Sequence, residues 1–168
     1  HAQWELIVVD DASDDDTWVW LQTIDDTRVR KLRLDRHSER SKTRNLGLTM
    51  AQGEFVLFLD DDDLLTEHAL ARHVEALTKH PDAVASIGSY RMFDADGNEE
   101  LVRIVRRPVR RRLWQEFLFG WMATAGHSLF RRSLLLSVNG WNEAYSFGED
   151  HELWLRAARI GPIALLPE

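Results

Sequence analysis

The chain has 168 residues, 44% of them hydrophobic, the size of one globular domain able to bury its own core. It contains no cysteine, which excludes a disulfide framework and a thiolate metal site and leaves oxygen and imidazole as metal ligands, a set that favours hard cations. A net charge of −7 excludes the basic field of a general nucleic-acid binder, and no apolar run approaches the roughly 20 residues that span a bilayer, nor is a signal peptide read at the start.

In chain order, Glu5 to Val9 forms a β-branched run that stops at the polar Asp10-Asp11-Ala12-Ser13, a buried strand ending at a loop. Val19, Leu21 and Ile24 predict a short helix, Val29 to Leu34 a strand, and Ser38 to Ala51 a helix closed near Gly53. Phe55 to Leu59 reads as a second buried strand, and Thr66 as the cap of a helix with Leu70, Val74 and Leu77 on one stripe. This βαβα rhythm is open α/β patterning.

After residue 83 the rhythm changes. Val84 to Met92 and Leu101 to Val105, around an Asp94 to Gly97 turn, predict a hairpin or an irregular excursion. Trp114 to Trp121 reads as helical, Ser128 to Phe130 as a strand, Glu149 to Ile160 as a helix and Ile163 to Leu166 as a strand.

Three acidic elements carry the chemistry. Asp60 to Asp63 follow a buried strand, where open α/β sheets bind ligands; four adjacent carboxylates call for a cation or a helix N-terminus, which the helix near Thr66 supplies only in part, and the bland alternative is a solvated loop. If the segment stays extended, Asp60 and Asp62 point the same way and suit a metal that holds a diphosphate. Asp10 and Asp11, with Ser13, follow the first strand and would converge on the same crevice, although an Asx turn with capping by Asp14 or Asp15 also explains that loop. Asp150 starts the late helix on the stripe of Leu153, Trp154 and Ala157, a candidate general base whose basicity the helix dipole should lower.

Taken in order, these motifs resemble the inverting GT-A fold glycosyltransferases of glycosyltransferase family 2. The resemblance rests on Val8 to Ser13, Arg44-Asn45-Leu46-Gly47, Ala51 to Glu54, Phe58 to Asp63, Gly140-Trp141-Asn142-Glu143 and Gly148 to Arg156. It implies a Rossmann-like, mixed and mostly parallel sheet flanked by helices in a single domain, with residues 1–82 as the nucleotide and metal half and 83–168 as the acceptor half. It also implies that a first strand and helix are lacking before Trp4, so the chain is expected to be N-terminally incomplete and its neighbouring strands to expose unpaired edges.

By the same resemblance, Asp11 contacts the base, uracil by expectation, while Asp61 and Arg44 lie near the nucleotide. Asp60 and Asp62 form the DXD pair that holds Mn²⁺ or Mg²⁺, and Asp150 is the catalytic base. Glu149, Trp121 and His127 fall on the acceptor side. The implied reaction is inverting transfer from a UDP-sugar to a hydroxyl of a saccharide or lipid-linked acceptor, without nucleic acid, in the cytoplasm or at the cytoplasmic face of a membrane.

Some features stay open. The arginines between 103 and 112 suit an anionic acceptor, a membrane surface or a solvated strand. Trp114, Phe117, Phe119 and Trp121 read as core in preference to a sugar or lipid groove, and His127 and His151 as structural histidines in preference to ligands. The rivals in other classes are a phosphorelay receiver, disfavoured because the lysines are limited to Lys31, Lys42 and Lys79, a sugar nucleotidyltransferase, and a non-catalytic binding fragment.

Overall fold

A computed structural model describes residues 3–94, 96–103, 109–111, 113–119 and 123–166. The β-branched run near the start forms β1 (Leu6–Asp10), which pairs in parallel with β2 (Val29–Arg33) through the crossover helix α1 (Thr17–Thr23). Lys31 on β2 donates from Nζ to the carbonyls of Leu21 and Ile24, 2.9 and 2.7 Å away, and so satisfies the C-terminal end of α1. Helix α2 (Arg40–Met50) then packs back over β1.

A second, five-stranded sheet runs in the order β3 (Phe55–Val56), β8 (Ser128–Arg131), β4 (Ala85–Ile87), β9 (Ile163–Leu165), β7 (Val109–Arg111). It is mixed, as expected. The β4–β9 pair is parallel, and β8 and β7 run antiparallel to their neighbours. The excursion after residue 83 is partly a true hairpin, β5 (Tyr90–Phe93) with β6 (Glu99–Arg103), turned at Asp94, whose Oδ1 accepts from the amides of Asp96 and Asn98.

Strand alternation sends neighbours to opposite faces of the five-stranded sheet. Ala85, Ile87, Phe130 and Ile163 meet Leu153, Trp154, Ala157 and Ala158 of α6 (Glu149–Ile160) and Phe117 of α4 (Trp114–Leu118) in the larger core. Leu129 and Ala164 meet Ala76 and Leu77 of α3 (Ala69–Lys79) in a smaller one. Phe117 stacks on Trp154 at 5.2 Å, and each such fully buried side chain contributes about 1.5–3 kcal/mol. Phe117 is core as expected, whereas Trp114 and Phe119 are exposed.

Three local expectations need correction. The strand read as Phe55 to Leu59 pairs over Phe55 and Val56 alone; Leu57 and Phe58 are apolar because they pack into the two cores on opposite sides, not because they extend the ladder. The helix expected from Thr66 begins at Ala69, with His68 at its cap. Asp60 to Asp63 close a turn, the amide of Asp63 donating to the carbonyl of Asp60 at 3.2 Å, so the extended alternation that put Asp60 and Asp62 on one face does not hold. Helix α5 (Arg132–Ser137) went unforeseen, and strand β7 falls in the arginine stretch for which a strand was one of the readings. Residues 104 and 105 of the expected second hairpin strand lie outside the described residues, as do Arg106, Arg107, Arg112 and Trp121.

Candidate functional site

Helix α2 is the element that gathers the site. Just before it, the backbone N–H of Ser38 donates to Asp11 Oδ1 at 2.8 Å and His37 Nδ1 lies 2.8 Å from Asp11 Oδ2. The turn after β1 is tight: buried Asp10 accepts from the amide and hydroxyl of Ser13 and faces Arg33 Nε at 3.3 Å, and Ala12 takes φ 63°. Asp10 therefore builds the turn, and Asp11 is the carboxylate presented beyond it.

One helical turn further, Arg40 and Arg44 share a face of α2. Arg40 Nε lies 3.4 Å from Glu149 Oε1. Arg44 Nη1 lies 3.4 Å from Glu149 Oε1 and 3.7 Å from Asp150 Oδ1, while its Nη2 donates to Asp60 Oδ1 at 2.7 Å. The guanidinium also rests over the Trp141 ring, 4.5 Å from its centre. Asp60, from the acidic loop after β3, and Asp150, from the first turn of α6, thus meet at one arginine.

Asp150 is largely buried, and its Oδ1 has no hydrogen-bond partner. Burial pushes its carboxyl up to about 6; Arg44 is the strongest opposing influence, and the charges of Glu149 and Asp60 add to the rise. The helix dipole was expected to lower its basicity, and burial outweighs it. Glu149 is more buried than Asp150 and is held by both arginines. His151 Nδ1 is buried without a partner.

The acidic loop is docked, not free. Asp63 packs its carboxylate against Gly126, where a Cβ would lie 2.6 Å from Asp63 Oδ2, so glycine is required for the contact. Partial burial raises the Asp63 carboxyl above its usual range, and the charges of Asp60 and Asp62 push the same way. Asp61 and Asp62 are exposed at the turn. His127, beside Gly126 in a single 3-10 turn, stacks on Tyr90 at 4.6 Å and contacts Thr124 Oγ1 at 2.9 Å.

Asn45, adjacent to Arg44, ties α2 to the loop before α6. Its Nδ2 donates to the Trp141 carbonyl and to Glu143 Oε1, and its Oδ1 accepts from the Trp141 amide. Gly140 takes φ 63°, and a Cβ there would overlap Asn45 Oδ1. The family resemblance named Arg44 for the nucleotide, and the sequence reading missed Arg40, His37 and this use of Asn45. The signal available was the Arg40/Arg44 spacing of one helical turn opposite two consecutive acids.

Among the described residues no group of three or more His, Asp or Glu side chains converges in metal-binding geometry. The donor set is nevertheless of the right chemistry: Asp60 and Asp62 supply hard carboxylate oxygens, and Arg44 stands on Asp60 where a positive charge is wanted. Mg²⁺ is commonly held by one or two carboxylates together with substrate phosphates, a number that the four-carboxylate loop can supply. No helix of the described residues is long and apolar enough to cross a membrane.

Comparison with known proteins bears on the family and the fold. A teichuronic acid biosynthesis glycosyltransferase, TuaG of Bacillus subtilis, is 35% identical over 99 residues, which cover 58% of this chain and 39% of TuaG. The Escherichia coli enzyme WfgD, a UDP-Glc:alpha-D-GlcNAc-diphosphoundecaprenol beta-1,3-glucosyltransferase, is 32% identical over 80 residues, 48% of this chain and 32% of that one. The crystal structure of S. aureus TarS residues 1–349 in complex with UDP-GlcNAc superposes with a TM-score of 0.77 at 21% identity, over 98% of this chain and 47% of TarS, and the shared fold is GT-A. The chain thus spans less than half the length of each of these proteins. The model of "Glycosyl transferase family 2" matches residues 1–138, and with this fold and this ordered set of acidic motifs the chain belongs to glycosyl transferase family 2.

Proposed function

We propose that the protein transfers a sugar from a UDP-sugar to an acceptor hydroxyl with inversion, supported by Mn²⁺ or Mg²⁺. The observation that carries the reading is the meeting of Asp60 and Asp150 at Arg44, which sets a cation-binding loop beside a buried carboxylate of raised basicity. UDP-GlcNAc in TarS supports the donor class, and the name of WfgD supports a lipid-linked acceptor. Membership of the family replaces the receiver-domain reading.

In this reading Asp11, fixed by Ser38 and His37, accepts from the donor base. Asp60 and Asp62 hold the cation, which when bound supplies the positive charge that neutralises the departing diphosphate. Asp150 accepts the proton of the acceptor hydroxyl through its carboxylate, whose buried Oδ1 lies beside Arg44 without a hydrogen bond. A carboxyl with a pKa near 6 is ionised at neutral pH yet basic enough for that transfer. Glu149, clamped by Arg40 and Arg44, keeps the first turn of α6 in register.

The experiment is stereochemical. The protein is incubated with Mn²⁺, α-linked UDP-sugars and short saccharide or diphospholipid-linked acceptors, and the product linkage is read by NMR. A β-linked product supports the reading; an α-linked product overturns inversion and the role given to Asp150.

A further inference from the structure

The two ends of the Arg44 guanidinium keep different company. Nη1 faces Glu149 and Asp150 at the start of α6, and Nη2 faces Asp60 on the acidic loop. The Arg44 side chain is 10% exposed and lies over Trp141, whereas that of Asp60 is 50% exposed. The arginine is therefore the fixed partner. Asp60 can turn toward solvent without uncovering it, because Glu149 remains on the other end.

The acidic loop needs a positive charge near it. Helix α3 begins only at Ala69, too far along the chain for its N-terminal dipole to serve Asp60. Asp60 to Asp63 sit together in one turn, closed by the Asp63 amide on the Asp60 carbonyl, so the loop remains crowded with carboxylates even with Arg44 in place. A divalent cation on Asp60 and the guanidinium on the same carboxylate would repel each other at close range.

We propose that Arg44 is the built-in counter-ion of Asp60 in the cation-free protein, and that a divalent cation competes with it for that carboxylate. The inference rests on the reading of Asp60 and Asp62 as the cation site. On cation binding Asp60 leaves Nη2 while Nη1 stays with Glu149. The free Nη2 then faces the space in which the donor diphosphate is proposed to lie. The consequence is an order of events: the cation alone binds weakly because it must displace Arg44, and it binds firmly with the nucleotide, whose phosphates both coordinate it and receive the released guanidinium.

The test titrates Mn²⁺ alone, followed by electron paramagnetic resonance, into the protein and its Arg44→Gln and Arg44→Lys variants. Removing the competing charge is expected to tighten Mn²⁺ binding by about fivefold in Arg44→Gln, the scale of a half-exposed ion pair, while Arg44→Lys stays near the parent protein. Unchanged or weaker binding in Arg44→Gln overturns the proposal, since it makes Arg44 a support of the site and not a competitor. A second measurement needs no Arg44 variant. In the unsubstituted protein the Arg44 Nε–H signal in NMR is expected to move on addition of Mg²⁺, and in Asp60→Asn to be insensitive to it; a signal that stays still while Mg²⁺ binds also overturns the proposal. Metal-dependent UDP binding by the parent protein with no effect of Arg44→Gln defeats the counter-ion role alone, whereas a parent protein that binds neither Mn²⁺ nor UDP defeats the reading of the site as well.

Discussion

Asp150 Oδ1 lies 3.7 Å from Arg44 Nη1, buried and without a hydrogen bond, so the carboxylate has a charge beside it but no donor to satisfy it. That arrangement leaves the carboxylate short of stabilising donors and so keeps it basic. Replacing Asp150 by Asn removes the proposed base while keeping its shape and the Arg44–Asp60 pair. Transfer is expected to fall by 10²-fold or more, on the order of a general-base contribution, with donor binding kept within about twofold. Parallel calorimetry and UDP-release assays check this, and a matching loss of donor affinity would contradict the assigned role.

The same group fixes a pH dependence. Burial holds the Asp150 carboxyl at about 6, and a general base works only when ionised. Turnover should therefore fall as pH drops through about 6 and level off above pH 7. The profile of kcat under saturating donor tests this, with Asp150→Asn expected to lose that acid limb.

Asp62→Asn should behave in the opposite way to Asp150→Asn. It removes a proposed cation ligand from an exposed turn, so folding is untouched and metal-supported donor binding is lost. The two variants measured side by side, for UDP affinity and for melting temperature, separate a donor-side role from an acceptor-side one.

Two backbone positions give stability predictions of opposite sign. Gly140 needs φ 63° and has Asn45 Oδ1 where a Cβ would sit, so Gly140→Ala should destabilise by about 2–4 kcal/mol and loosen the Trp141 loop. Glu39 holds φ 75° and ψ 152° at the entry to α2, a region that only glycine occupies without strain. Glu39→Gly should raise stability by about 1 kcal/mol or more. Urea unfolding of both variants checks the pair of signs.

His73 predicts how stability responds to acid. It is buried between α3 and β4, its Nδ1 2.8 Å from Ser86 Oγ, and burial lowers its pKa from 6.5 to about 4. The unfolded chain takes up the proton first, so the contribution is complete above pH 6.5 and is lost as pH falls from 6.5 toward 4, by about 3 kcal/mol. His73→Gln should flatten that part of the profile. An unchanged slope would place the loss on the carboxylates.

Much of this was legible in the residues, for identifiable reasons. The β-branched run at Leu6 to Val9 and the strong stripe of α6 carry their period openly, and both elements lie where the pattern put them. Phe58 misled the strand boundary because an aromatic buried against Phe130 and Trp141 looks the same in sequence as one buried in a ladder. The acidic turn at Asp60 to Asp63 closes through a backbone hydrogen bond that composition does not reveal. Asp60 is 16 positions from Arg44, but the Glu149 partner of Arg44 is 105 away and the Trp141 partner of Asn45 is 96 away, and only the packing of α2 against the α6 entry brings them together.

Calorimetric titration of UDP with and without Mn²⁺, with CDP and GDP as controls, decides whether the acidic loop and Asp11 form a cation-dependent UDP site. UDP is expected to bind only with Mn²⁺ and in preference to both controls. Equal binding of all three nucleotides, or UDP binding indifferent to Mn²⁺, would contradict it.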